Sequence, residues 1–105
     1  MAIASGILGT GQIATGAAAA FFTVAAATTA YVKTVVFSHE SAVTQTVDVW
    51  VKKAAGTNRK LRRFVLAQYE SAEIANLALG AGDALWGTTT TAAVLDFTVF
   101  GAQET

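Results

Sequence analysis

His39, Glu40 and Ser41 follow one another in a chain that has a single histidine. Base, acid and nucleophile are the residue types of hydrolytic chemistry, but a catalytic triad is assembled in space from separated positions, so a consecutive string is not one. Between Ser38 and Ala42 the residues read as a turn. His39 is therefore expected to be a solvated turn histidine whose replacement by Ala changes little. Glu70 and Glu73 lie three apart around a second polar segment. A glycosidase pair must face each other across a sugar, and solvation of a loop is the simpler use. Asp83 follows Gly80, Ala81 and Gly82, a composition shared by calcium and phosphate loops. Asp83 has no carboxylate beside it and no Lys follows the glycines, so neither loop is matched. The turn reading suffices: Gly80 and Gly82 supply positive φ, and Asp83 accepts from backbone amides. Cysteine is absent, which excludes disulfides, thiolate metal sites and cysteine nucleophiles. No catalytic residue, metal or cofactor is expected, and the chain reads as a non-enzyme.

What remains is chemistry of contact. Arg59, Lys60, Arg62 and Arg63 put four of the seven cationic residues within five positions. On a strand, alternation would give Lys60 and Arg62 one face and Arg63 the other. Such a cluster can shield a sheet edge from wrong pairing, meet an acidic protein neighbour or attract phosphate. Nucleic acid is the least favoured of the three, because no aromatic platform for bases is interleaved with the cations. Trp50 alternates with Asp48 and Lys52 and so points away from a core made by Val47, Val49 and Val51. Trp and Arg are common interface anchors. Trp50, Arg59, Lys60, Arg62 and Arg63 are thus the protein-interface candidates, with a sugar-stacking platform as the other use of a tryptophan.

The elements that must hold these residues are strands. Val, Tyr, Thr and Phe dominate Ala30 to Ser38, and Val43 to Lys53 alternates cleanly, which is the period of a half-buried strand. Further strands are expected within Ile7 to Thr15, from Phe21 to Val24, Leu61 to Gln68, Ile74 to Leu79, Ala84 to Gly87 and Val94 to Phe100. Lys60 to Leu79 also carries helix-compatible spacings. Turns rich in Ser, Gly, Asn and Thr at 38–42 and 54–58 suggest that the central strands run as an antiparallel meander. The expected fold is all-β: one antiparallel sandwich or jelly roll of about eight strands, with Val35, Val47, Val49, Val51, Leu95, Phe97 and Val99 in one core. Residues 1–19 form an N-terminal arm or first strand, and 20–105 the sandwich.

Composition narrows the function. Of the 105 residues 53% are hydrophobic and 13% charged, and Lys and Arg balance Asp and Glu at seven each. Soluble domains average roughly 25% charged residues, and a neutral monomer has weak protection against association. No charge precedes Lys33, yet Ile13 to Val32 is mostly Ala, Thr and Gly, too weakly apolar for a membrane span and without the basic start of a signal peptide. No membrane partner is expected. The neutral first twenty residues bury little area by folding back alone, and would be useful as an arm on a neighbouring subunit.

The order of short motifs resembles the small β-sandwich virion structural proteins of tailed bacteriophages. Phe22-Thr23-Val24 is followed by Thr29-Ala30-Tyr31-Val32-Lys33 and Val35-Val36-Phe37-Ser38. Leu77-Ala78-Leu79-Gly80-Ala81-Gly82-Asp83-Ala84-Leu85 comes later, and Phe97-Thr98-Val99-Phe100-Gly101-Ala102-Gln103-Glu104 closes the chain. It departs where Ala25-Ala26-Ala27 stands for a common Pro-Ala-Gly, and where His39 stands for a common Asn. The resemblance implies a capsid decoration or cement protein on the capsid exterior, with the major capsid protein as partner and a homo-oligomer on the particle. Tail, collar or fibre placement is the runner-up, and a glycan- or nucleic-acid-binding module the alternative from another class.

Overall fold

The computed structural model describes residues 3–39, 42–54, 56–90 and 95–105. Eight strands follow in order: β1 (Ile3–Gln12), β2 (Ala19–Thr23), β3 (Thr29–His39), β4 (Gln45–Lys52), β5 (Asn58–Leu66), β6 (Ser71–Leu79), β7 (Ala84–Thr88) and β8 (Leu95–Glu104). Residues 60–79, which could have formed a helix, belong to strands β5 and β6 and their turn. Phe64 and Leu66 are buried between exposed Arg63, Val65 and Ala67, the period-two alternation that an extended backbone satisfies.

The strands form two antiparallel four-stranded sheets, ordered β1-β8-β3-β6 and β2-β7-β4-β5. This is a jelly-roll order. The expected meander is found only in its second hairpin, the antiparallel pair β4 and β5. Of the sheet neighbours, only β4 and β5 are consecutive in the chain, and β3 and β4 lie in opposite sheets. Turn residues fix where the chain reverses but not which sheet receives the next strand. Two strands that each have one apolar face can cover one another across a sandwich as well as beside one another in a sheet.

Between the sheets, Val35, Phe37, Leu95 and Val99 face Val47 and Val49, all fully buried, and Phe97 is nearly so. Val51 is only half-buried at the margin. Four phenylalanines link the two layers: Phe21 lies 6.0 Å from Phe37 and 4.8 Å from Phe97, and Phe37 lies 5.7 Å from Phe64, between ring centroids. Such pairs add about 0.5–1.5 kcal/mol each beyond burial. Within the first sheet β3 and β8 approach closely at Gly101, where a Cβ would overlap the Tyr31 carbonyl oxygen. Lys33 sits in the adjoining register shift. Glycine within a strand commonly marks such an approach.

Candidate functional site

The outward face of the β2-β7-β4-β5 sheet holds most of the interface candidates. Trp50 on β4 is directly opposite Trp86 on β7 and Lys60 on β5, and Trp86 is in turn opposite Ala20 on β2. Opposed residues share a face, so one rung runs Ala20, Trp86, Trp50, Lys60. Lys60 Nζ stands 5.1 Å from the centroid of Trp50, and Lys52 Nζ stands 5.2 Å from that of Trp86. Both tryptophans are half-buried, and each carries a cation over its ring.

Asp48 lies on the next rung, opposite Arg63 and Thr88. Its carboxylate accepts a bidentate pair from Arg63, from Nε at 2.6 Å and Nη2 at 3.2 Å, and Lys60 Nζ lies 3.3 Å away. The Arg63 hydrogen bond, ahead of Lys60, holds Asp48 below the usual carboxylate range against an opposing effect of burial, and Asp48 raises Arg63.

The expected facing of the cluster is corrected here. Lys60 and Arg63, not Lys60 and Arg62, share the outer face. The register steps from Val49↔Arg62 to Trp50↔Lys60 and leaves Leu61 unmatched. A bulge of this kind adds one residue and inverts the alternation beyond it. Leu61 packs against the core, and Arg62, opposite buried Val49, lays its guanidinium 4.9 Å from the Phe64 centroid. Arg59 is exposed opposite Val51.

Each other motif has a definite place. Asp83 is buried, and its carboxylate accepts from Lys53 Nζ at 3.0 Å, Gly80 N at 2.9 Å and Ala54 N at 3.0 Å. Lys53, then the two amides, lower its pKa against burial. Gly82 has φ +81, whereas Gly80 is not in the positive-φ region and contributes its amide instead. A Cβ at Gly82 would also stand 2.9 Å from that of Ala54.

His39 is not a solvated turn residue. It ends β3 with 1% of its surface exposed. Nε2 lies 2.7 Å from the Val43 carbonyl and donates to it, and Nδ1 has no hydrogen-bond partner among the described residues. Glu40 and Ser41 lie outside the described residues. Glu70 and Glu73 are separated by structure: Glu70 caps its turn by accepting from the Ala67 amide, and Glu73 lies on β6, where it accepts from Thr34. No group of three or more His, Asp or Glu is placed to hold a metal among the described residues. No helix is long and apolar enough to cross a membrane among those residues.

Sequence reasoning missed the opposite face. Ile3, Ile7, Tyr31 and Phe100 are 68, 65, 48 and 36% exposed, and the pairs Ile7↔Phe100 and Tyr31↔Ala102 put them on the outer side of the β1-β8-β3-β6 sheet. Tyr31, Lys33, Phe100, Gly101 and Ala102 line a shallow depression of about 330 Å³. The alternation of β1 held the signal, but its glycines obscured it.

No family model matches this chain, and no curated protein does. Among solved structures it is similar to a chain in the structure of infectious bursal disease virus Gt strain, at 11% identity and a TM-score of 0.36, over 97% of this chain and 32% of that one. This chain thus spans about a third of the length of that viral chain. A likeness at that level carries no functional argument, and the jelly-roll assignment rests on the strand order itself.

Proposed function

We propose that this chain is a structural, non-enzymatic virion protein of a tailed bacteriophage, a decoration or cement protein seated on the major capsid protein at the capsid exterior. The observation that carries the reading is the gathering of exposed Ile3, Ile7, Tyr31 and Phe100 on one sheet face, since an exposed apolar patch commonly marks an interaction surface. The ordered motifs from Phe22 to Glu104 support it. On this reading apolar and neutral surface is buried between neighbours, Trp50 is the desolvated anchor, and Arg59, Lys60, Arg62 and Arg63 meet acidic surface at the rim. No chemical step is involved.

Rebinding of the purified chain to stripped particles tests it. Charge reversal at Arg62 and Arg63 is expected to slow association and to change its salt dependence, because rim charges act mainly on encounter. Trp50→Ala is expected to speed release at any salt, by about tenfold or more if Trp50 is a true hot spot. No binding to particles would overturn the reading. Copy number separates the variants of it: occupancy comparable to the capsid subunits supports the shell, and a small multiple of the tail symmetry supports tail, collar or fibre.

The paired Trp50 and Trp86 favour one second reading, a glycan-binding face on which sugar rings stack. Saturable quenching of tryptophan fluorescence by neutral oligosaccharides would support it.

A further inference from the structure

The sandwich has four sheet edges, β1, β6, β2 and β5, and an edge strand offers unpaired backbone groups to any extended chain unless something discourages it. Three of the four are discouraged. β5 carries Arg59, Lys60, Arg62 and Arg63, so a second β5 would meet cation with cation. β6 carries Glu73, a charge that a second β6 would have to accommodate. β2 is five residues long and its register shifts at Phe21. β1 is ten residues long and has no ionisable side chain or proline from Ile3 to Gln12. From Ile3 to Ile7 its register with β8 runs without a shift, Gly6 within that run having φ +120 and a shift following between Ile7 and Gly9.

We infer that β1 pairs antiparallel with β1 of a second copy about a two-fold axis at Ser5, joining two β1-β8-β3-β6 sheets into one. The occupant is read from the sequence of the edge. With Ser5 opposite Ser5, Ile3 of each copy falls opposite Ile7 of the other on the outer face, and Ala4 falls opposite Gly6 on the inner face. Both isoleucines are about two-thirds exposed in the single chain, and directly opposed apolar pairs are the stabilising unit of a sheet. The two small residues bring no bulk to the other side. A two-fold contact must be self-complementary, and a neutral edge meets that condition where a charged edge fails it. Ile7 is also opposite Phe100 on β8, so the new pairs would continue the apolar face already present. This pairing is a property of the purified chain alone and does not depend on the virion reading.

The absence of cysteine makes the register testable. Opposed residues in an antiparallel pair have Cα atoms about 4.5–5.5 Å apart, within disulfide reach. Ser5→Cys is therefore expected to give a covalent dimer on mild oxidation, whereas Asn58→Cys on β5 stays monomeric. By sedimentation, Ile7→Lys and Ile3→Glu are each expected to weaken self-association by about tenfold. An equimolar mixture of these two should recover a heterodimer, since the ammonium introduced in one copy then faces the carboxylate introduced in the other. Far-UV spectra of each variant, unchanged from the parent, would show that the fold is kept. A parent chain that sediments as a monomer at all concentrations would overturn the inference, and so would equal cross-linking of the two cysteine variants. Cross-linking of Ser5→Cys to a different virion protein, with no self-dimer, would assign the edge to that protein and would also overturn it.

Discussion

Asp83 and His39 are buried polar side chains at opposite ends of the sandwich, one in the turn between β6 and β7 and the other at the end of β3. Asp83 is saturated, with an ammonium and two backbone amides on its oxygens. Among the described residues His39 is half-satisfied, with Nε2 bonded to Val43 and no partner on Nδ1. A buried polar group stabilises when all its capacity is met and costs free energy when part of it is not. One end is therefore cross-linked by a charge, drawing residues 53–54 onto the turn at 80–83, while the other is filled mainly by volume.

Removing the carboxylate should have the largest effect. Asp83→Ala orphans the Gly80 and Ala54 amides and releases Lys53, and is expected to cost about 3 kcal/mol in urea unfolding. A loss below about 1 kcal/mol would show that water satisfies those amides and would erase the contrast. His39→Ala should cost less, about 2 kcal/mol, because the cavity it leaves is partly offset by removing the half-satisfied ring. His39→Leu sharpens the point. It refills the space, and the Val43 carbonyl keeps the Gln45 side-chain amide at 3.1 Å, so stability within about 1 kcal/mol of the parent is expected. A Leu variant as damaged as the Ala variant would mean that His39 has polar work the described partners do not account for.

Acid should act on the saturated end. Asp83 has its folded pKa lowered, so its contribution is complete above the unfolded value, near 3.9, and disappears as pH falls through the folded one. The urea midpoint should hold from neutrality to about pH 5 and fall below about pH 4, with a shallower fall in Asp83→Asn. The smallest effect is expected at the surface. Asp48→Asn should cost at most about 1 kcal/mol, since Arg63 and Lys60 are largely exposed and exposed pairs contribute little. It should also free both cations, so particle binding by Asp48→Asn would become more salt-sensitive than the parent's.

These two ends also mark what could be read from residues alone. The Asp83 turn was legible because the turn at Gly82, the amide of Gly80 and the acid itself are neighbours in the chain, whereas its partners Lys53 and Ala54 come from a distant segment and were not. The core at Val47, Val49, Leu95, Phe97 and Val99 was legible for the same reason, since period-two alternation is written into each strand. His39 was not, because its burial depends on the chain at Val43 and Gln45 returning over it. The facing of Lys60, Arg62 and Arg63 failed at Leu61, whose bulge is defined against β4 and not within β5. The Trp50 and Trp86 rung was hidden for a related reason, as nothing near either residue states that β4 and β7 are neighbours. The alternation of a strand shows which side chains share a face, and only the sheet order shows what lies beside them.

The pairing of Ile3 with Glu104 has a consequence in time. Strand β1 can complete its pairing only after residue 104 has been made, and five of the six strand pairings unite segments that are not consecutive in the chain. Such non-local order predicts folding in milliseconds to seconds rather than microseconds. Until β8 arrives, the nascent chain carries an uncharged, unpaired β1 in a crowded cell, so its yield should depend on how fast the last strand is delivered.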